Sequence, residues 1–207
     1  MNELCLRYRE PLYVFARHGG TAHANAEDLV QGFFSHFLKK NYLQDLNREK
    51  GRFRAFLLKC FKNYLCNEWK GARCQKRGGG ADHLPLDWMT ADDRFHLVAV
   101  ETPERAYDRA WAITLLKGVL AQLCQEMQAE GKSDRFEVLK QGLTVDRDEF
   151  DYRAAANRLK LSEEATRAAA MRLRERYGEL IIHEIRETCD PTQFEEEIRS
   201  LLNAFSD

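Results

Sequence analysis

Apolar residues recur every three or four positions in one segment after another, a spacing that places them along one side of an α-helix. One such stripe runs from Leu29 through Phe33 to Phe37, and a second runs from Phe53 to Phe61. The chain has four prolines, and it is poor in the runs of Val, Ile and Thr that indicate strands. We therefore predict an all-α fold.

Composition changes divide the 207 residues into modules. Three glycines at 78–80 end the first helical stretch, and the acidic residues that follow have no clean period, which is typical of a flexible linker. Thr102-Pro103-Glu104 then has the order of a helix start. We predict a first domain over 1–77, a linker over 78–102, a second domain over 103–188 and an amphipathic helical tail over 189–207.

Positive charge is concentrated in one part of a chain whose formal net charge is −1. Residues 48–77 contain ten Lys or Arg and only two acids, Glu49 and Glu68. A solvated charged face is the alternative explanation. A segment this one-sided repels itself unless an anion neutralises it, which favours contact with nucleic acid. On the helix that follows Phe53, the basic face carries Lys59, Lys62, Asn63, Lys70 and Arg73.

A second informative stretch lies in the predicted second domain. Residues 151–159 predict a short helix, Lys160-Leu161-Ser162 a tight connection, and residues 163–187 a long helix with Ser162 as its cap. The exposed side of the long helix carries Arg167, Arg172, Arg174 and Arg176. This order is typical of a DNA-binding helix-turn-helix, and an ordinary helical hairpin is the alternative.

Nothing in the sequence indicates an enzyme, a metal or a cofactor. The six cysteines form no Cys-x-x-Cys pair, so we expect reduced thiols in a cytoplasmic protein. A zinc site from Cys66, Cys74 and His83 is conceivable, but its spacing fits no usual zinc framework. The sequence has no run of about 18 apolar residues, so we predict no membrane span. The N-terminus also lacks the basic residues followed by an apolar stretch that are typical of a signal peptide.

The runs Ala26-Glu27-Asp28-Leu29-Val30-Gln31 and Phe53-Arg54-Ala55-Phe56-Leu57-Leu58 resemble region 2 of extracytoplasmic-function sigma factors. These are small promoter-specificity subunits of bacterial RNA polymerase. The order of the two modules, basic helix first and helix-turn-helix second, also resembles this class. The resemblance covers residues 4–77 and 103–188.

The resemblance implies a role for each matching position of the first domain. The helix with Glu27, Asp28 and Gln31 resembles the surface that docks on the clamp helices of the largest polymerase subunit. The connection over 41–54, which includes Arg52 and Arg54, resembles the loop that captures a base flipped out of the minus-ten element. The face that would hold the opening duplex consists of Lys59, Lys62, Asn63, Trp69, Lys70 and Arg73.

For the second domain, the resemblance implies that 152–177 reads the minus-thirty-five element from the major groove. Side chains on the first turns of its long helix would reach base edges, and the carboxylates would accept hydrogen bonds from cytosine amino groups. The implied contacts are Ser162, Glu163, Glu164, Arg167, Arg172 and Arg174. The stretch 165–170 is richer in alanine than is usual for a recognition helix, and the tail after Cys189 lies outside the two regions of the class.

The sequence thus predicts a sigma factor, with core RNA polymerase and promoter DNA as partners. Because it offers no sensor domain, we also expect a protein inhibitor, an anti-sigma factor, that binds across both domains. The tail either joins that interface or packs on the second domain. Two other functions stay open: a DNA-binding regulator that uses only the helix-turn-helix, and a helical adaptor with no DNA role.

Overall fold

The computed structural model describes residues 2–40, 51–76 and 101–206, with the backbone alone for 2–4 and 70–76. Across these ranges all the regular secondary structure longer than a single bridge is helical, which confirms the all-α prediction. None of the described helices is long and apolar enough to cross a lipid bilayer. In chain order the helices are α1 (Asn2–His18), α2 (His23–Lys39), α3 (Phe53–Lys76), α4 (Pro103–Ala129), α5 (Ser133–Leu139), α6 (Tyr152–Leu159), α7 (Glu163–Thr188) and α8 (Phe194–Asn203).

Contacts divide the chain into two compact units. The first unit is Met1–Thr114 together with Thr188–Asp207, and the second is Leu115–Glu187. The sequence places the start of the second domain at residue 103 and sets the tail apart. In the structure the division falls inside α4, because the first part of that helix packs with the first unit. The tail also belongs to the first unit, although the sequence suggests the second domain as its support.

The first unit has an aromatic core. The predicted stripes of α2 and α3 meet there, and the Phe33 and Phe61 rings lie edge to face with centroids 5.1 Å apart. Phe15 of α1 packs against Phe61 in the same way at 6.1 Å. Tyr107 of α4 joins this cluster through Phe15, at 6.4 Å. Edge-to-face contacts of this kind add to the stabilisation from burial, and they fix which sides of α2 and α3 face solvent.

Helix α2 begins earlier than the sequence suggests. The sequence favours Asn25 as its cap, but the helix starts at His23, and its cap position, Ala22, provides no side-chain bond. Asn25 is exposed inside the first turn. Consequently Glu27 and Asp28 lie beyond the first turn, which contains no acid.

The second unit has its own core, and alanines on α6 and α7 let its helices approach closely. Its buried side chains are Val119, Leu123, Phe136, Leu139, Tyr152, Ala155, Ala169, Ala170, Leu173 and Leu180. The apolar spacing of 163–187 predicts that Ala165 faces inward; this is wrong, since Ala165 is exposed and Thr166 is buried instead. The Thr166 hydroxyl donates to the carbonyl oxygen of Ser162 at 2.9 Å, which satisfies its polar atom inside the core.

The connection between α6 and α7 forms as the sequence predicts. Asp151 caps α6 by accepting from the Ala154 N–H at 2.9 Å, and Ser162 caps α7 by accepting from the Ala165 N–H at 3.1 Å. Lys160 ends α6 with a left-handed φ of 54°. This conformation turns the chain within three residues and exposes the first turns of α7.

Candidate nucleic-acid interface

An acidic patch lies on the exposed side of α2, in the first unit. It consists of the carboxylates of Glu27 and Asp28 together with the neutral amide of Gln31, all exposed. Glu27 Oε1 lies 3.9 Å from Arg9 Nη2, and both side chains are at least half exposed, so this pair contributes little. The helix dipole acts within the first turn of a helix. Because the acids lie beyond that turn, the dipole does not account for their placement.

A polar stripe lies on α3 of the same unit. Lys59 and Asn63 are exposed, and Lys62 is half-buried. Residues three and four positions apart are neighbours on a helix surface, so these three form one continuous strip. The predicted strip continues through Lys70 and Arg73, whose side chains lie outside the described residues.

Lys62 already has a partner. Its Nζ donates to Glu104 Oε1 at 2.5 Å, and it lies 5.3 Å from the centroid of the Phe15 ring. The hydrogen bond from Lys62 holds the pKa of Glu104 below its usual value. Both side chains are about half exposed, so the pair is weak. A phosphate could take the place of Glu104 at low cost.

An open cavity of about 440 Å³ lies beside this pair. Aromatic and aliphatic side chains form its walls, and the Lys62–Glu104 pair lies at its edge. The lining residues are Phe15, Ala16, His18, Gly19, Thr21, Lys62, Leu65, Cys66, Trp69, Pro103 and Glu104. Aromatic rings next to a cation are the surroundings in which unstacked bases bind.

Arg54 does not belong to the exposed face, which corrects its assignment to DNA contact. Its side chain is only 5% exposed. Nε donates to Glu197 Oε1 at 2.6 Å, and Nη1 donates to Asp108 Oδ1. The guanidinium carbon lies 4.4 Å from the centroid of the Trp111 ring. A side chain buried among these partners has a structural role in the first unit.

Arg52 is tied to the same tail helix. Its Nη1 donates to Ser200 Oγ at 3.2 Å, and Nη2 lies 3.5 Å from Glu196 Oε1. Its backbone forms an isolated antiparallel bridge with Cys189. The part of the 41–54 loop that precedes Gly51 lies outside the described residues, so base capture by that loop stays a prediction. Arg52 itself is directed to the tail.

Four of the predicted base-reading residues lie together at the start of α7, in the second unit. Ser162, Glu163, Glu164 and Arg167 are all exposed. Arg167 Nη2 donates to Glu163 Oε1 at 2.7 Å, and its guanidinium lies 4.2 Å from the Tyr152 ring centroid. Glu163 and Arg167 therefore satisfy each other, whereas Glu164 and Arg172 are exposed on the same helix.

Arg174 is a structural residue of the second unit, which corrects its assignment to a DNA contact. Nε donates to the carbonyl oxygen of Gly142 at 2.9 Å, and Nη1 donates to the Tyr152 hydroxyl at 3.0 Å. These bonds join α7 to the turn after α5 and to the start of α6. The sequence could not show this, because Arg172, Arg174 and Arg176 look alike without their partners.

The described residues contain no group of three side chains that could hold a metal ion. Cys66 is exposed. The other two residues of the conceivable zinc site, the Cys74 side chain and His83, lie outside the described residues, so that alternative stays a hypothesis.

Comparison with protein-family models, with curated proteins and with solved structures found no significant match to this chain.

Proposed function

We propose that this chain is a sigma factor of the extracytoplasmic-function type, which directs core RNA polymerase to promoters and helps to open them. The observation that carries the proposal is the separation of charge on the first unit. The acidic patch of Glu27, Asp28 and Gln31 is exposed on α2, beyond the reach of the helix dipole. The polar stripe with Lys59 and Asn63 is exposed on α3.

These two surfaces suit two different partners. The acidic patch would dock on a basic protein surface of the core polymerase. The stripe on α3 would neutralise DNA phosphates, and the cavity beside Trp69 would accept an unstacked base of the opened strand. A protein that melts a duplex needs to neutralise phosphates and to bind unstacked bases on the same surface.

The start of α7 would read duplex DNA upstream. A capped helix end with exposed polar side chains after a three-residue connection has the form of a recognition helix. Glu164 and Arg167 would reach base edges, and Arg172 would contact a phosphate. Arg174 has no part in this reading, because it holds the second unit together.

We also propose control by a protein inhibitor, an anti-sigma factor. Its binding site would include the acidic patch on α2 and the stripe on α3, since hiding both would prevent access to polymerase and to DNA. Exposed docking surfaces of this kind are what a regulatory partner covers.

The second candidate is a DNA-binding regulator that acts without polymerase. The separate hydrophobic core of the second unit favours it, because a DNA-reading module could fold and act on that core alone. A helical adaptor without a DNA role is the third candidate. Only the sigma factor requires the acidic patch on α2.

The test is binding of purified full-length protein to core RNA polymerase. Asp28→Arg reverses a charge in the acidic patch and should weaken binding at least about tenfold, which corresponds to about 1.4 kcal/mol. Glu175→Arg reverses a charge at an exposed position in the middle of α7, also beyond the first turn of its helix, so it is the control and should bind like the unmodified protein. Unchanged affinity of the Asp28→Arg protein would remove the docking role. DNA binding without any polymerase binding would favour the regulator.

A further inference from the structure

The tail helix α8 is fixed to the first unit by a buried carboxylate. Glu197 is 1% exposed. Its Oε1 accepts from Arg54 Nε at 2.6 Å, and its Oε2 lies 3.7 Å from Arg52 Nη1. That second distance is too long for a hydrogen bond, so Arg52 acts on Oε2 through its charge. Arg52 lies directly before α3, and Arg54 lies in its first turn.

Arginines also hold the other end of the tail. Arg109 Nε donates to the carbonyl oxygen of Ala204 at 3.3 Å, and Arg105 Nη2 donates to that of Ser206 at 2.9 Å. Carbonyl groups at the end of a helix lack partners within the helix, and cations there also complement its dipole. We call the four arginines that hold α8 the arginine cradle: Arg52, Arg54, Arg105 and Arg109.

Apolar contacts contribute less to this attachment than the sequence pattern suggests. Within α8 Glu197 and Leu201 are buried, and Phe194 and Ile198 are half-buried. Leu202 is 66% exposed, and Phe205, just beyond the helix, is 50% exposed. A helix that is attached mainly by burying apolar surface would cover these two side chains first. The most deeply buried side chain of α8 is instead the charged Glu197.

We propose that the arginine cradle is a recognition site for an acidic helix, and that α8 is its ligand, read through Glu197 and able to bind as a separate peptide. Removing that carboxylate leaves the buried Arg54 with Asp108 as its remaining counterion. Loss of one partner from a buried pair is strongly unfavourable. While α8 is in place, Arg52 and Arg54 are withheld from other anions. The inference does not depend on polymerase or promoter binding.

The test uses a full-length receptor whose own tail is weakened by Glu197→Gln. A fluorescent peptide with the sequence of residues 188–207 is titrated into it, and binding is followed by anisotropy. The unmodified peptide should bind. A peptide with Glu197→Gln should bind at least about a hundredfold more weakly, given the cost of breaking a buried ion pair. A peptide with Glu195→Gln is the matched control, because it loses the same charge at an exposed position, and it should bind like the unmodified peptide.

Equal binding of the two substituted peptides would overturn the proposal, as would a failure of the unmodified peptide to bind. Hydrogen exchange of the full-length proteins provides the second measurement. Glu197→Gln should speed amide exchange in α8 at least about a hundredfold and should speed it much less in α1 and α2. Equal acceleration in α1 and α2, or loss of the receptor's helical signal, would show that α8 is an inseparable part of the core and would also overturn the proposal.

Discussion

Arg54 Nε lies 2.6 Å from Glu197 Oε1, although the two residues are 143 positions apart in the chain. Burial alone lowers the pKa of the Arg54 guanidinium, but its hydrogen bond to Glu197 and the charges of Glu197 and Asp108 raise it by more, so the net shift is upward. Arg54 therefore stays charged, and its interior site depends on the two carboxylates. This cluster joins α3, α4 and α8 within the first unit.

Replacing Arg54 should destabilise the first unit strongly. Arg54→Met keeps much of the side-chain volume but leaves Glu197 buried beside Arg52 alone, and we expect a loss of about 3–5 kcal/mol in the free energy of unfolding. Urea unfolding followed by circular dichroism measures it. Arg199→Met, at an exposed position of α8, should stay within about 0.5 kcal/mol.

The double variant Arg54→Met with Glu197→Leu provides the internal control for this effect. It replaces the whole ion pair with apolar groups, so it should recover much of the stability that Arg54→Met loses. A double-mutant cycle then isolates the coupling between the two side chains. If Arg54→Met and Arg199→Met cost the same, the ion pair does not hold the unit together.

Local sequence patterns predict the helices that carry Arg54 and Glu197, but they do not predict that these two side chains pair. Helix positions follow from apolar spacing, which is a local property, and the aromatic core of the first unit is built from the stripes that this spacing predicts. Partners across 143 positions leave no local trace. One usable signal was present: Glu197 lies four residues before Leu201 and so shares its face. Within the acidic run of 195–197, that spacing marks Glu197 as the inward residue.

The same limit applies to the candidate interface. The exposed positions on α2 and α3 could be predicted, because they lie opposite the apolar stripes. The structural roles of Arg54 and Arg174 could not, because each depends on acceptors from other elements, such as Glu197 and the Gly142 carbonyl. The start of α2 was also missed, since Ala22 gives no capping signal.

Lys59 should contribute to the salt dependence of promoter binding. Each phosphate contact releases counterions, so Lys59→Ala should reduce the slope of log affinity against log salt by about 0.7–0.9. Lys117→Ala, at an exposed position of the second unit, should leave the slope unchanged. The measurement is complex formation with core polymerase and promoter DNA at several salt concentrations. An unaltered slope for Lys59→Ala would mean that this side chain is only solvated.

Arg174 should contribute to stability, whereas Arg167 should contribute to the preference for particular DNA sequences. Arg174→Ala removes the donors to the Gly142 carbonyl and the Tyr152 hydroxyl, and it should cost about 1–3 kcal/mol in the free energy of unfolding. Arg167→Ala should leave stability within about 1 kcal/mol, because its bond to Glu163 is exposed, and should instead relax the preference for particular upstream bases. Thermal unfolding and binding to a library of upstream sequences separate the two. If Arg174→Ala instead changed the sequence preference and left stability unchanged, Arg174 would be a DNA contact.

The Lys62–Glu104 pair should make a small contribution to stability that depends on pH. Its hydrogen bond lowers the pKa of Glu104 from the ordinary value of 4.5. The carboxylate form is thus favoured in the folded state, so the contribution is present above that ordinary value and is lost as the pH falls through the lowered pKa. Because both side chains are half exposed, we expect less than about 1 kcal/mol. Lys62→Met should raise the Glu104 pKa in a carboxyl titration by NMR, and an unchanged pKa would mean that the pair does not form in solution.

Gly32 is a packing position between α2 and α3, where a methyl group should be harmful. A Cβ at this residue would lie 2.5 Å from the Tyr64 hydroxyl oxygen. The Tyr64 ring packs beside Phe33 and His36, with centroids 5.8 and 5.7 Å away, so it cannot move aside without disturbing its neighbours. Overpacking of this kind costs about 1–3 kcal/mol, which exceeds the gain of up to about 1 kcal/mol that alanine brings to a helix.

Gly32→Ala should therefore lower the free energy of unfolding, whereas Gly118→Ala should raise it. Gly118 also lies within a helix, α4, but a Cβ there would meet nothing within 4 Å, so only the gain in helix propensity remains. Adding Tyr64→Phe to Gly32→Ala removes the atom that obstructs the methyl group and should restore part of the loss. Urea unfolding of the three variants measures these differences. Stabilisation by Gly32→Ala equal to that of Gly118→Ala would show that α2 and α3 do not approach this closely at Tyr64.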